Sequence, residues 1–161
     1  MEKKYELTNE TIIYFDHILY RIKAVRNFSN VKAGDLGGFV EKEDNLSHKG
    51  DCWVYNNARV CDNAKVSKNA RVCDDAIISG NAIISDYSDY IIFKNWWSSG
   101  RFFTWTRSNN RWKVGCFYGT GEELIKKAYQ DSELSGREYE RIVRYVESIL
   151  QDAEINQLFA E

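Results

Sequence analysis

The chain has 161 residues, 43% of them apolar, and carries 22 Lys and Arg against 24 Asp and Glu for a net charge of −2. That length holds one ordinary domain or two very small ones, and the near-balanced charge gives no global field to draw the molecule onto nucleic acid or an anionic membrane. No apolar run approaches the roughly 20 residues of a membrane helix, and "MEKKYELTNE" has no hydrophobic segment behind its charges, so no signal peptide is read and a cytosolic protein is expected.

Residues 1–38 are the first predicted unit. "YELTNETIIYFDHILYRIKAV" reads as strands with a tight turn at Asp16-His17, a β-hairpin between Ile12 and Ile22 that caps the second unit.

That second unit, residues 39–86, is written in sixes: FVEKED, NLSHKG, DCWVYN, NARVCD, NAKVSK, NARVCD, DAIISG and NAIISD. The fourth place reads Lys42, His48, Val54, Val60, Val66, Val72, Ile78 and Ile84; the second reads Val40, Leu46, Cys52, Ala58, Ala64, Ala70, Ala76 and Ala82. A period of six fits neither a helix nor a simple two-faced strand. It suits a chain that turns a corner after each short strand, three corners completing one coil. Places two and four then share the inward face and fill a narrow triangular core. Asn or Asp at place one is expected to take the left-handed corner conformation, with Gly50 and Gly80 relaxing others.

On such a prism Arg59, Lys65 and Arg71 fall on different faces, so they form solvated charges and no nucleic-acid strip. Cys61 and Cys73 face different directions and are poorly placed for a disulfide. The four cysteines contain no Cys-x-x-Cys pair and no neighbouring histidine, so neither metal nor cofactor is expected and the thiols are read as reduced. Outward Ile77 and Ile83 predict that this end is covered. A coil this short exposes unpaired backbone at its ends and needs caps or oligomerisation, and a homo-oligomer is expected.

The third unit, residues 87–161, changes composition. "YIIFKNWWSSGRFFTWTRSNNRWKVGCFY" predicts a three-stranded meander, with Phe103 and Trp105 alternating against Thr104 and Thr106 and a turn at Ser108-Asn109-Asn110. Thr120 with Glu123 forms a capping box for a helix burying Leu124, Ile125 and Ala128. A second helix runs from about Ser135 to Gln151 and buries Tyr139, Ile142, Val143, Val146, Ile149 and Leu150.

Two candidate surfaces arise here. Trp96, Trp97, a Ser-Ser-Gly loop including Ser99 whose amides can cradle an anion, Arg101, Phe117 and the helix start at Thr120 suit a phosphorylated, ring-bearing ligand; the same residues also suit plain core. Arg137, Arg141 and Arg144 fall at i, i+4 and i+7, a basic stripe opposite the apolar face that is read as solvated or as a partner-docking surface.

The hexad segment resembles the left-handed β-helix built from hexapeptide repeats. "VKAGDLGGFVEKEDNLSHKGDCWVYNNARV" (31–60) looks like the opening segment of phage and bacterial proteins with degenerate repeats of this type, a likeness covering about residues 5–86. From about residue 90 the chain resembles a C-terminal module of other phage repeat proteins, matching its Gly-Cys-Phe-x-Gly-Thr helix start at Gly115, Cys116, Phe117, Gly119 and Thr120; where those relatives carry Gly-Ser-Arg, this chain has Ser99-Gly100-Arg101. The resemblance implies a mainly β protein: a short left-handed β-helix with an N-terminal hairpin cap and a C-terminal α+β module.

Many hexapeptide-repeat proteins are trimeric acyltransferases using a histidine as general base. Only His17 and His48 are available, and both are read as structural. No paired carboxylates, nucleophile with base or Walker-type loop appear. The expected function is therefore a non-enzymatic phage-encoded accessory protein in the host cytosol, countering defence by sequestering a nucleotide-like signal. A direct inhibitor of a host defence or CRISPR effector, an acyltransferase and a structural oligomer are the alternatives.

Overall fold

A computed structural model describes residues 2–159, with side chains described as far as residue 154. The protein is mainly β with a C-terminal two-helix module. Strands β1 (Tyr5–Tyr14) and β2 (His17–Ala24) form the expected N-terminal hairpin, the turn falling at Phe15-Asp16 with Phe15 at φ 54°. Strand β3 (Leu36–Val40) lies antiparallel to β2 and carries the sheet into the hexad region.

There the strands shrink to two residues each: β4 (Trp53–Val54), β5 (Arg59–Val60), β6 (Lys65–Val66), β7 (Arg71–Val72), β8 (Ile77–Ile78) and β9 (Ile83–Ile84). Their pairing is parallel and skips: Trp53 stands opposite Arg71, Arg59 opposite Ile77 and Lys65 opposite Ile83, each eighteen residues on. Three hexads thus separate paired strands, giving three parallel ladders in place of one continuous sheet. Between strands the carbonyl of place five accepts the amide N–H of place two in the next hexad, as in Tyr55 to Ala58 and Cys61 to Ala64.

This β-turn puts its first central residue at positive φ. Gly50, Asn56, Asp62, Lys68, Asp74 and Gly80 all adopt it, one every sixth residue. The left-handed corner is therefore place six, not the Asn or Asp of place one. Gly50 is also fixed by packing, since a Cβ there would strike the Lys68 carbonyl of the adjacent turn.

The inward faces are as expected from Cys52 onward: Ala58, Ala64, Ala70, Ala76 and Ala82 and the facing Val54, Val60, Val66, Val72, Ile78 and Ile84 are at most 1% exposed. The first two hexads depart. Val40 pairs with Val60 and Leu46 with Val66, twenty residues apart, so two extra residues lie between Leu46 and Val54. Val40 and Leu46 belong to the valine column, while Lys42 and His48 fall outside the core. An even-numbered insertion preserves strand alternation, which is why the burial of Val40 and Leu46 was legible although their register was not.

At both ends of the ladders side chains of the flanking segments partner backbone groups, in addition to the β2 strand that pairs with β3. At the N-terminal end the fully buried Lys4 Nζ donates to the carbonyls of Cys52 (2.6 Å) and Gly50 (3.3 Å), and the Tyr5 hydroxyl donates to Leu46 O (2.6 Å). Burial holds the Lys4 ammonium below its ordinary pKa, against the opposing pull of Cys52. At the other end the Tyr90 hydroxyl donates to Arg71 O (2.8 Å), Thr104 Oγ1 accepts the Ile77 N–H (3.0 Å) and Ser108 Oγ accepts the Ile83 N–H (2.8 Å). Part of the end backbone is thus partnered within the chain.

The C-terminal module is a four-stranded antiparallel sheet, β10 (Tyr90–Lys94), β11 (Phe102–Thr106), β12 (Arg111–Val114) and β13 (Phe117–Gly119), against helices α1 (Gly121–Asp131) and α2 (Glu133–Phe159). The expected meander lacked one strand, and α2 is longer than its predicted span. On β11 Phe103, Thr104, Trp105 and Thr106 are all buried, because the helices cover one face and the hexad region meets the other through Thr104. Ile77 is half-buried by this contact, whereas Ile83 stays 53% exposed. Among the described residues no helix is long and apolar enough to cross a membrane.

Candidate functional site

A cleft of about 470 Å³ opens between the β10–β11 loop and the α1–α2 hairpin. That volume is in the range of small-molecule sites. Its loop wall is Asn95, Ser98, Ser99 and Arg101; Val114, Cys116 and Phe117 form the sheet wall, and Lys127, Asp131, Ser132, Ser135 and Tyr139 line the helical side.

The loop is shaped by one side chain. Asn95 is buried, and its Oδ1 accepts the N–H groups of Trp97 (3.2 Å), Ser98 (2.9 Å) and Ser99 (3.4 Å) and the Ser98 hydroxyl (3.1 Å), an Asx-type turn. The Asn95 carbonyl accepts the Gly100 N–H at 2.9 Å, and Ser99 Oγ that of Arg101 at 3.2 Å. The amides expected to cradle an anion are therefore committed to the loop itself. What the loop offers instead is the Arg101 side chain, which makes no ion pair among the described residues.

Lys127 lines the same cleft from α1, also without an ion-pair partner among the described residues. Two cations on separate elements thus line one concavity. Deeper in, Tyr139 Oη accepts a hydrogen bond from Asn95 Nδ2 at 3.4 Å, and burial pushes its phenol pKa upward, against the Asn95 hydrogen bond. Ser135 Oγ accepts the Trp97 Nε1–H at 3.0 Å.

Of the six expected ligand residues, Ser99, Arg101 and Phe117 come together here. Trp97 is spent on structure, packed edge-on to Tyr139 at 4.9 Å as part of the aromatic core. Trp96 is 70% exposed outside the cleft lining. Thr120 also lies outside it: its Oγ1 accepts the Glu123 N–H (3.2 Å) and its own N–H goes to Glu123 Oε1 (3.1 Å), so that helix start is capped and carries acid. The residues missed were Asn95, Lys127, Asp131, Ser132, Ser135 and Tyr139. Asn95 had a signal, an Asn opening a Ser-Gly turn; Tyr139 was legible only as an apolar-face residue.

The arginine stripe is largely neutralised. Arg144 pairs with Glu122 (2.6 Å), Glu147 (3.0 Å) and Glu140 (3.6 Å), and Arg141 with Glu138 (3.0 Å); Arg137 is exposed. The carboxylates come from α1 and from the i±3 and i−4 positions of α2, which the arginine spacing alone does not display.

Both histidines are tied into the fold. His48 stacks on Tyr5 at 4.2 Å, and its Nδ1 accepts the Lys4 backbone N–H at 3.0 Å, which assigns the ring proton to Nε2. Burial lowers its pKa, so the neutral ring keeps no free basic nitrogen. His17 lies between carboxylates, Nδ1 at 3.0 Å from Glu41 and Nε2 at 3.2 Å from Asp62 and 3.5 Å from Asp16. The Glu41 hydrogen bond raises its pKa despite partial burial. His17, Glu41 and Asp62 offer ligand-type atoms within 4.8 Å of one another. The carboxylates nevertheless sit on opposite ring nitrogens, a clamp that ties the hairpin tip to the hexad corner at Asp62.

No protein-family model matches this chain. It is similar over 51 residues, at 37% identity, to a protein of Escherichia coli K12 described as the uncharacterized acetyltransferase YdcK; the matched segment is 31% of this chain and 16% of that protein.

Proposed function

We propose that this is a non-enzymatic binding protein that captures a small anionic, ring-bearing ligand in the cleft between the β10–β11 loop and the helical hairpin. The observation that carries the reading is Arg101 and Lys127 lining one cleft without an ion-pair partner among the described residues. An unpaired cation pair in a concave site is poised to exchange water for an anion. In this reading the three ladders are the faces of one left-handed hexapeptide-repeat coil, a rigid stem on which the cleft is mounted.

The setting we propose is the one the sequence resemblance implies: a phage-encoded, oligomeric protein acting in the host cytosol, where capture of a nucleotide-like signal blunts a defence response. The test is calorimetric titration with inorganic pyrophosphate and with nucleoside phosphates. Stoichiometric uptake, recovery of the anion unchanged after denaturation, and a fall of about tenfold or more in Arg101→Ala support the reading. No uptake, or uptake indifferent to Arg101, sinks it.

A second reading is favoured by the likeness to a protein described as an acetyltransferase. Acyl transfer needs a general base. The bonding of His17 and His48 supports the binding reading instead, because each ring nitrogen faces a hydrogen-bonding partner or carboxylate. Consumption of an acyl-thioester that stops in His48→Ala would reverse the preference.

A further inference from the structure

We infer that the cleft reads its ligand with two kinds of group: a phosphate on Arg101 and Lys127, and beside it an acceptor atom on the Tyr139 and Ser135 hydroxyls with a donor group on Asp131, which makes the ligand class a phosphorylated nucleoside or a close analogue. The inference rests on the anion-binding reading above and goes beyond it by assigning the contacts to the rest of the ligand.

Tyr139 and Ser135 are 8% and 9% exposed. Each hydroxyl oxygen accepts one protein hydrogen bond, from Asn95 and from Trp97, and neither gives its own proton to a described residue. Buried O–H groups are rarely left undonated, since the missing bond costs more than a surface one. Both line the cleft, so a ligand acceptor entering there satisfies them.

Asp131 supplies the complementary function. It is the last residue of α1, whose last turn holds no basic residue, and a carboxylate there faces the negative end of the helix dipole, with Lys127 one turn back making no ion pair to it among the described residues. It is exposed, makes no ion pair among the described residues, and lines the same cleft. A charge kept against local preference inside a concave site marks a position selected for a ligand, here one with an N–H or O–H to give. Phe117, half-buried on the sheet wall, offers a flat apolar face to a ring. A bare phosphate can also accept from the two hydroxyls, but it has no ring to lay on Phe117 and, as an anion, is repelled by Asp131, whereas a nucleoside phosphate uses all three features.

The probes are uridine 5′-monophosphate and inorganic pyrophosphate, titrated into the wild-type chain and into Arg101→Ala, Tyr139→Phe and Asp131→Asn. Tyr139→Phe removes one oxygen and keeps the packed ring, and a thermal melt verifies its fold. The wild type should bind the nucleotide more tightly than pyrophosphate. Tyr139→Phe and Asp131→Asn should each weaken the nucleotide by about tenfold and leave pyrophosphate within about twofold. Arg101→Ala should weaken both.

If the nucleotide binds no tighter than pyrophosphate, or Tyr139→Phe leaves nucleotide affinity unchanged, the inference is overturned while Arg101-dependent anion binding stands. If the wild type takes up neither probe, both fall.

Discussion

The hexad region and the C-terminal module use polar groups in opposite ways. In the hexad region the place-two amides close the corners and the strand amides pair along the ladders or with capping side chains, and the core is small and β-branched: five alanines at place two against four valines and two isoleucines at place four. The C-terminal module is built on aromatic contacts among Phe93, Phe103, Trp112 and Tyr139. Among the described residues it leaves Arg101, Lys127 and Asp131 without ion pairs, and the protons of Tyr139 and Ser135 undonated, around one cleft. A repeating segment satisfies itself by translation and has little left to offer a ligand. In the proposed reading, recognition falls to the segment that breaks the repeat.

The largest effect that tests this division comes from emptying the hexad end. Trp53 is 1% exposed and packs against Tyr5 and Phe28, so Trp53→Ala should cost about 3–5 kcal/mol in chemical denaturation. Ligand affinity of the molecules that remain folded should be unchanged. An affinity loss at full folding would show that stem and cleft are one unit.

The boundary between the regions comes next. Tyr90 belongs to β10, yet its hydroxyl donates to Arg71 O and accepts the Cys73 N–H at 3.3 Å. Tyr90→Phe leaves both backbone groups without this partner and should destabilise by about 1–2 kcal/mol. Amide exchange should rise at Cys73 and leave the helices protected; uniform exchange across the chain would argue against a local cap.

The smallest effect is the pH response of the clamp at His17. Its folded pKa is raised from an ordinary 6.5, so its contribution is fully present below that value and is lost as pH rises through the folded pKa. Glu41 moves the other way. Burial pushes its carboxyl up, but the hydrogen bonds from His17 and the Asp62 amide outweigh this and leave it below 4.5, so its contribution is lost only as pH falls through that lowered value. Between the two ordinary values the clamp is complete. His17→Gln should lower the melting temperature more at pH 5.5 than at pH 9, a difference under about 1 kcal/mol because the groups are partly solvated. Equal destabilisation at both pH values would mean that the ring acts by packing alone.

The sequence by itself determined the parts of this protein that depend on spacing. A β-branched residue every six positions has one economical arrangement, short parallel strands packed inward, so the buried columns and the N-terminal hairpin were readable as strings of letters. The capping box at Thr120 was equally local.

Tertiary structure decided whatever depends on residues far apart in the chain. The two-residue insertion after Leu46 showed only through pairing across twenty residues. The fourth meander strand and the burial of Thr104 and Thr106 came from a sheet covered on both faces. The cleft assembles Asn95 and Arg101 from one loop, Phe117 from a strand, and Lys127 and Tyr139 from the two helices, and no periodicity announces it. The Ser-Ser-Gly amides and the arginine stripe looked free because their partners, Asn95 Oδ1, Glu122 and Glu138, are fixed by folding. Local pattern specifies which atoms a residue carries; only the packed chain specifies which of them are already spent.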